Sequence, residues 1–408
     1  MRVAILSQYY SPEIGAPQAR LSALASALRD RGHDVFVLTA FPNYPTGHLY
    51  EGYGGLFASE VIEGVRVFRS WVYPTISKWM PSRLFGYLSF AVSALFNGLV
   101  RLPRVDYLVT ESPPLSLAPI GLLLAKTKRA RWILNVSDLW PDSIDLLGVR
   151  APGSLMRAAR ALERFSYRRA WLVTGQTKGI IEAVATRSPR TSVRFFPNGV
   201  DTRRFVPGPG AKSASSSAAA NDACNFVYAG LHGLAQGLDQ ILEALAVVDR
   251  PEVRVTFIGD GPEKTALLER SKRLGLKTVR FMDPIPHDEV PAALSRADVA
   301  LVPLRIPIAE AVPSKLYEAL AAGLPVLLIS RGEAERLIEE AGAGVTVQPG
   351  DIDGLAGAMR FLADEAAARE EMSSRGRDFV ARRFDRKRIN DELIDFLEAQ
   401  GSPQRPAP

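Results

Sequence analysis

The chain has 408 residues, of which 47% are apolar and 23% charged, with a formal net charge of +6. That is too long for one hydrophobic core and suits two domains, and the composition is that of an ordered α/β protein, excluding disorder except locally. A single cysteine, Cys224, excludes an internal disulfide framework and fits a reducing compartment, while four scattered histidines (His33, His48, His232, His287) lack zinc-ligand spacing.

Charge is uneven along the chain: 24 Lys and Arg stand against 13 Asp and Glu up to residue 200, and 26 against 31 after it. A basic N-terminal half implies an anionic surface opposite it, phospholipid or nucleic acid. The opening "MRVAILSQYY" reads as a buried first strand, because its apolar run is short and no small-residue cleavage site follows. The expected location is cytoplasmic. A helix is predicted near 18–31, then strands at "DVFVLTA", "VRVFRS", "VDYLVTE", "RWILNVSD", "AWLVTGQ" and "VRFFPNG". Apolar runs of this kind, separated by helices, predict a parallel sheet covered on both faces.

Residues 84–100, "LFGYLSFAVSALFNGLV", carry no charge, and their 17 residues fall just short of a bilayer span. Gly86, Ser89, Ser93 and Asn97 recur at steps of three or four, a small-polar stripe on an apolar helix flanked by Lys78, Trp79, Arg83, Arg101 and Arg104. The pattern fits either a core helix or one lying among lipid headgroups. Farther on, Arg157, Arg160, Arg164 and Arg168 share one helical face, suited to an anionic membrane surface or a carrier pyrophosphate. Nucleic acid is not expected as a partner, since no recognition motif accompanies the charge. In "NVSDLWPD", Asp138 lies just past a predicted strand end, where it can position or deprotonate a hydroxyl or cap a helix.

Residues 206–223, "VPGPGAKSASSSAAANDA", read as a flexible linker between a first domain at 1–205 and a second at 224–378, with a C-terminal helix and tail at 379–408 able to return to the first. The strands "NFVYAGLHG", "VRVTFIGDG", "VRFMDPI", "DVALVPL", "LPVLLIS" and "GVTVQPGD" predict a second doubly wound domain, and with it an interdomain cleft. "FIGDGPEK" (257–264) lacks the third glycine and later acid of a dinucleotide site and reads as a tight turn. In "GDIDG" (350–354), Asp351 or Asp353 reads as a helix cap in preference to a metal pair. The run "EAVPSKLYEALAAGLPVL" (310–327) enters a helix near Ser314, and Lys315 with the first free N–H groups can face an anion there. Its alternative is a solvated helix start with Glu318 paired to a nearby base.

Glu310, seven residues, Glu318 and then "ALAAGLPVL" resemble the signature of glycosyltransferase family 4. The likeness continues through "GAPQARLSALASALRDRGHDVFVLTAFPNYPTG", "DLWPDSI", "FFPNGVDTRRF", "YAGLHGLAQGLDQIL", "IGDGPEK" and "ADVALVPL", in order over most of the chain. "FPNYPTG", "DLWPDSI" and "VPSKLYEA" are most similar to bacterial surface-polysaccharide enzymes, including L-fucosamine transferases that act on lipid-linked acceptors.

The resemblance implies the α/β GT-B fold, two doubly wound Rossmann-like domains, with a nucleotide-sugar donor, retention of configuration and no metal or other cofactor. Carried over by position, Glu310 touches the donor sugar, Glu318 accepts both ribose hydroxyls, Ile285 marks the strand end that reads the base, and Gly15 and Ala16 bring backbone N–H groups to the diphosphate. Ser314 and Lys315 complete the donor set. The chain departs from the family where Leu231 and Gln236 replace an Arg and a Lys that neutralise the leaving diphosphate, and where Ala311-Val312-Pro313 replace Gly-Phe-Gly. Lys315 is then the replacement cation, and Glu310, Asp138 and Lys315 are the catalytic candidates. The expected function is transfer of an N-acetylhexosamine or deoxy-hexosamine from a UDP-sugar to a lipid-linked saccharide acceptor, by a hexosyltransferase peripherally bound at the inner face of the cell membrane in O-antigen-like polysaccharide assembly. A soluble small-molecule transferase, an epimerase or hydrolase of the same fold, and a non-catalytic scaffold are the alternatives.

Overall fold

A computed structural model describes residues 1–77, 79–142, 152–208, 223–305 and 310–401. The chain divides into two compact units, Met1–Asn198 with the chain from Arg386 on, and Gly199–Asp385.

The first unit is built on strands β1 (Arg2–Leu6), β2 (Asp34–Ala40), β3 (Phe57–Ile62), β4 (Val65–Ser70), β5 (Tyr107–Ser112), β6 (Arg131–Val136), β7 (Leu172–Gly175) and β8 (Val193–Phe195). They lie in the order β3-β4-β2-β1-β5-β6-β7-β8, parallel except for the β3–β4 hairpin. Sequence reading misses β3, because "FASEVI" is a half-exposed edge strand and not an apolar run. Its Glu63-Gly64 turn has positive φ at both residues, 48° and 77°, which matches the twist of a two-residue hairpin.

Successive β1 side chains feed opposite cores. Val3 and Ile5 meet Leu21, Leu24 and Leu28 of α1 (Ala16–Asp30) and Ile389, Leu393 and Leu397 of the C-terminal helix Arg386–Ala399. Ala4 and Leu6 share the other core with α2 (Met80–Arg101), α3 (Leu117–Lys128), α4 (Gly153–Arg169) and α5 (Lys178–Arg187).

In α2 the small-polar stripe is turned inward. Ser93 donates to Trp71 O, Asn97 Nδ2 donates to Arg69 O and Ser70 Oγ at 2.9 Å, and Ser89 Oγ accepts from Tyr73 N. Phe90 is buried beside this stripe, while Phe85, Leu88, Val92, Phe96 and Leu99 face out. Lys78 lies outside the described residues.

The second unit carries β9 (Cys224–Ala229), β10 (Val253–Ile258), β11 (Val279–Met282), β12 (Val299–Pro303), β13 (Val326–Ile329) and β14 (Gly344–Val347), all parallel, in the order β11-β10-β9-β12-β13-β14. The sheet order reverses between β9 and β12, the switch point at which such sheets bind ligands beyond their strand C-termini. Its helices are α6 (Asp239–Val248), α7 (Lys264–Arg273), α8 (Val290–Leu294), α9 (Ser314–Ala321), α10 (Glu333–Ala341), α11 (Ile352–Asp364) and α12 (Ala366–Arg383), with Arg386–Ala399 then α13. Asp351 caps α11 by accepting from Gly354 N at 2.9 Å, so "GDIDG" is a helix start.

Two predicted boundaries move. Val200 and Phe205 are buried in the second unit's core, Pro207 lies against Gly323 and Gly208 against Ser295, so residues 199–208 belong to the second unit and not to a domain ending at 205. Most of the predicted linker 206–223 lies outside the described residues. The C-terminal helix expected within 379–408 is the end of α12 followed by α13, interrupted where Val200 bridges Asp385 and bonds Phe384 O at 2.9 Å. The break divides them between units: α12 stays with the second and α13 packs on the first.

Candidate active site

In the second unit, Gly230 follows directly on β9, and Lys315 from the start of α9 crosses over it. A Cβ at Gly230 would lie 2.1 Å from Lys315 Cε and 2.6 Å from Nζ, with the backbone at φ 153°. Only glycine leaves room for that ammonium. The neighbouring "GDG" turn after β10 lies against the same loop: a Cβ at Gly259 would fall 2.0 Å from Gly230 O, while His232 N bonds Asp260 O at 2.8 Å. Its glycines serve loop-to-loop contact, as the tight-turn reading expects.

Burial pulls Lys315 below the usual lysine range, and Glu318, one turn farther along α9, pulls the other way. Among the described residues Nζ has no hydrogen-bond acceptor. In the same unit Arg305 is held by both carboxylate oxygens of Asp239, and in the first unit Arg20 is buried against Glu111. Helix α9 begins after Pro313 with no side-chain cap, so the amides of Ser314 and Lys315 point along the helix axis toward the same region. Lys315, Ser314 and the Gly230 loop thus lie together at the switch point, where a cation and free helix-start amides can receive an anion.

Glu318 is mostly buried and lies 3.8 Å from His287 Nε2, and the His287 ring stands edge-on to Phe205 at 6.2 Å. Ile285, just past the β11 end, packs on the core that also holds Leu316 and Tyr317 of α9. These residues belong to one unit and one strand-end surface. Glu310 is partly exposed and comes directly after residues 306–309, which lie outside the description. His287 was not singled out by sequence reading, since a lone histidine in "PIPHDEV" carries no spacing signal.

The first unit has its own switch point between β1 and β5. Gly15 is the N-cap of α1 without a side-chain cap, and a Cβ there would approach Gln18 Oε1 to 2.5 Å, so the helix opens at Gly15 and Ala16. Glu13 ties this loop to the next by accepting from Tyr10 N, Asn43 N and Tyr44 N, and burial raises its carboxyl despite those bonds.

Beneath the loop is a polar cluster that sequence reading missed. Arg20 donates to Glu111 at 2.6 Å, to Ser137 at 3.1 Å and to Asn198 at 2.5 Å, and Asn135 donates to Glu111 at 2.8 Å. Asp138 sits beside it. Its carboxyl is pushed up to about 6, first by burial and then by the Glu111 charge, with Arg20 opposing. A carboxyl poised there exchanges a proton near neutral pH. The helix it was expected to cap lies largely outside the described residues. Asp142, four residues on, pairs with Arg187 and Arg160.

Two family models match, Glycosyl transferase 4-like domain over residues 15–199 and Glycosyl transferases group 1 over residues 214–379. The chain belongs to glycosyltransferase family 4. This family 4 enzyme is 26% identical to WcaI of Escherichia coli K12, named as a colanic acid biosynthesis glycosyl transferase, over 97% of this chain and 100% of that one. Its GT-B fold matches sucrose-phosphate synthase from Thermosynechococcus elongatus (TM-score 0.74, 19% identity, 98% of both chains). It also matches Anabaena HepE in complex with UDP and glucose (TM-score 0.71, 19% identity, 98% of this chain and 100% of that one).

Proposed function

We propose that this family 4 glycosyltransferase works in surface-polysaccharide assembly, moving an N-acetylhexosamine or deoxy-hexosamine from a UDP-sugar to a lipid-linked saccharide with retention of configuration. The observation that carries the donor half is the Lys315 ammonium, lodged over Gly230 without an acceptor among the described residues, at the strand switch point beside an uncapped helix start. A diphosphate supplies the anion such a seat lacks. Glu318 then takes the ribose hydroxyls, Ile285 the base edge and Glu310 the sugar, while Gly15 and Ala16 offer amides to the phosphates. The name of WcaI supports the polysaccharide setting, and the UDP in the HepE complex supports the nucleotide.

In this reaction the bond from the sugar's anomeric carbon to the diphosphate oxygen breaks, and the acceptor oxygen bonds to that carbon. Charge grows on the departing diphosphate, where Lys315 and the α9 amides stabilise it more than they stabilise the bound donor. The acceptor hydroxyl gives up its proton, for which Asp138 is the candidate base. With Lys315 as the neutralising group, no metal is required, and activity is expected to persist in EDTA.

Titration calorimetry with UDP, GDP and ADP, followed by turnover with a panel of UDP-sugars and a polyprenyl-diphosphate-linked saccharide, tests the reading. UDP preference and product only with the lipid-linked acceptor support it. Tighter GDP binding would overturn the donor assignment, and turnover on small soluble acceptors alone would favour a soluble transferase.

A further inference from the structure

The outward face of α2 is apolar along its length. Phe85, Leu88, Val92, Phe96 and Leu99 recur at steps of three and four, and each is exposed, Phe85 at 55% and Phe96 at 59%. Trp79, at the N-cap, is 69% exposed. Isolated exposed hydrophobes need no explanation, but a continuous ridge of this kind marks a binding surface.

The charge around the ridge specifies what binds. Helices α2, α3 and α4 lie on one side of the sheet, with α3 packed against both of the others. Together they contain a single acid, Glu163, which is buried and paired with Arg187. Their exposed cations include Arg83, Arg101, Lys126, Arg157, Arg164 and Arg168. Among the described residues none of these six is paired with a carboxylate. The expected four-arginine face of α4 is thus three open arginines, since Arg160 meets Asp142 at 3.5 Å. An apolar ridge inside an acid-free basic layer is unsuited to a second copy of itself, which would set like charges face to face.

We propose that this layer docks on an anionic lipid bilayer, with the outward face of α2 embedded at the headgroup boundary and the α4 arginines on lipid phosphates. The 22 residues of α2 are long enough to cross a bilayer, but crossing would strip Ser89, Ser93 and Asn97 from the sheet-side partners they bond. The helix therefore lies flat, one side on the sheet and one in lipid. The proposal concerns the first unit's surface and goes beyond the transfer reaction, so it is tested without donor or acceptor.

The full chain is sedimented with vesicles of phosphatidylcholine alone and of phosphatidylcholine with phosphatidylglycerol. Binding only to the anionic vesicles, weakened by salt, is expected. Leu88→Glu with Phe96→Glu should lower the partition coefficient by about a hundredfold or more. Arg157→Gln with Arg164→Gln and Arg168→Gln should lower it roughly fivefold per arginine at low salt. Should the apolar variant fail to fold, brominated lipid read against the unaltered protein decides the matter: quenching of tryptophan emission is expected, and Trp79→Phe should remove it. Absence of binding to anionic vesicles, equal binding by the triple arginine variant, or a dimer in sedimentation equilibrium that leaves no vesicle binding would each overturn the proposal.

Discussion

Replacing Lys315 by Met removes a cation that has no acceptor among the described residues while keeping the unbranched side chain that lies over Gly230. In the family pattern two further cations share the diphosphate, but Leu231 and Gln236 stand in those places, and Arg305 is committed to Asp239. The lost interaction strengthens as the glycosidic bond breaks, so its removal resembles loss of a preorganised oxyanion donor, worth about 2.7–4 kcal/mol, or 10²–10³ in kcat. Donor affinity should fall less, by about tenfold, because the α9 amides remain. Stability should move the other way. Burial holds the folded-state pKa of Lys315 below its unfolded value, so the folded state carries a penalty that is full below the folded-state pKa, fades as pH rises through it and is gone above the unfolded lysine pKa. Met removes that penalty, and the melting temperature should stay level or rise. Initial rates at saturating UDP-sugar, beside thermal melts, measure both. A kcat within threefold of the unaltered enzyme would refute the assignment.

Gly230→Ala should reproduce the kcat loss of Lys315→Met with less effect on UDP affinity, because a Cβ 2.1 Å from Lys315 Cε displaces the ammonium; steady-state kinetics test it. Glu318→Gln should weaken UDP binding by about tenfold or more in calorimetry with kcat changed far less, as expected of the proposed ribose ligand, which is remote from the breaking bond. Asp138, raised to about 6 from 3.8, stabilises the folded state fully below the unfolded value and loses that contribution as pH rises through 6; Asp138→Asn should flatten this part of the stability profile in melts from pH 4 to 7. If Asp138 is also the base, kcat/KM falls below pH 6 in the unaltered enzyme and that limb disappears in the variant. Dialysis against EDTA should leave turnover unchanged, and a loss restored by a divalent cation would contradict the metal-free reading.

Apolar runs, glycine turns and their alternation with helices determine by themselves most of both sheets here, since strands buried on two faces must be nearly continuous hydrophobe. All six strands of the second unit lie where the sequence places them, and "VPSKLYEA" identifies the start of α9. Edge strand β3 escapes, because one solvated face leaves only alternation to read. Only tertiary structure brings Gly230 under Lys315, residues 85 apart in the chain, and gathers Arg20, Glu111, Ser137 and Asn198 around a buried charge next to Asp138. It also decides the orientation of α2. Its periodicity shows two faces, one small and polar and one large and apolar, and sequence rules favour burying the second. The sheet instead takes the first together with Phe90, because the carbonyls of Arg69 and Trp71 and the amide of Tyr73 need the partners that Asn97, Ser93 and Ser89 supply.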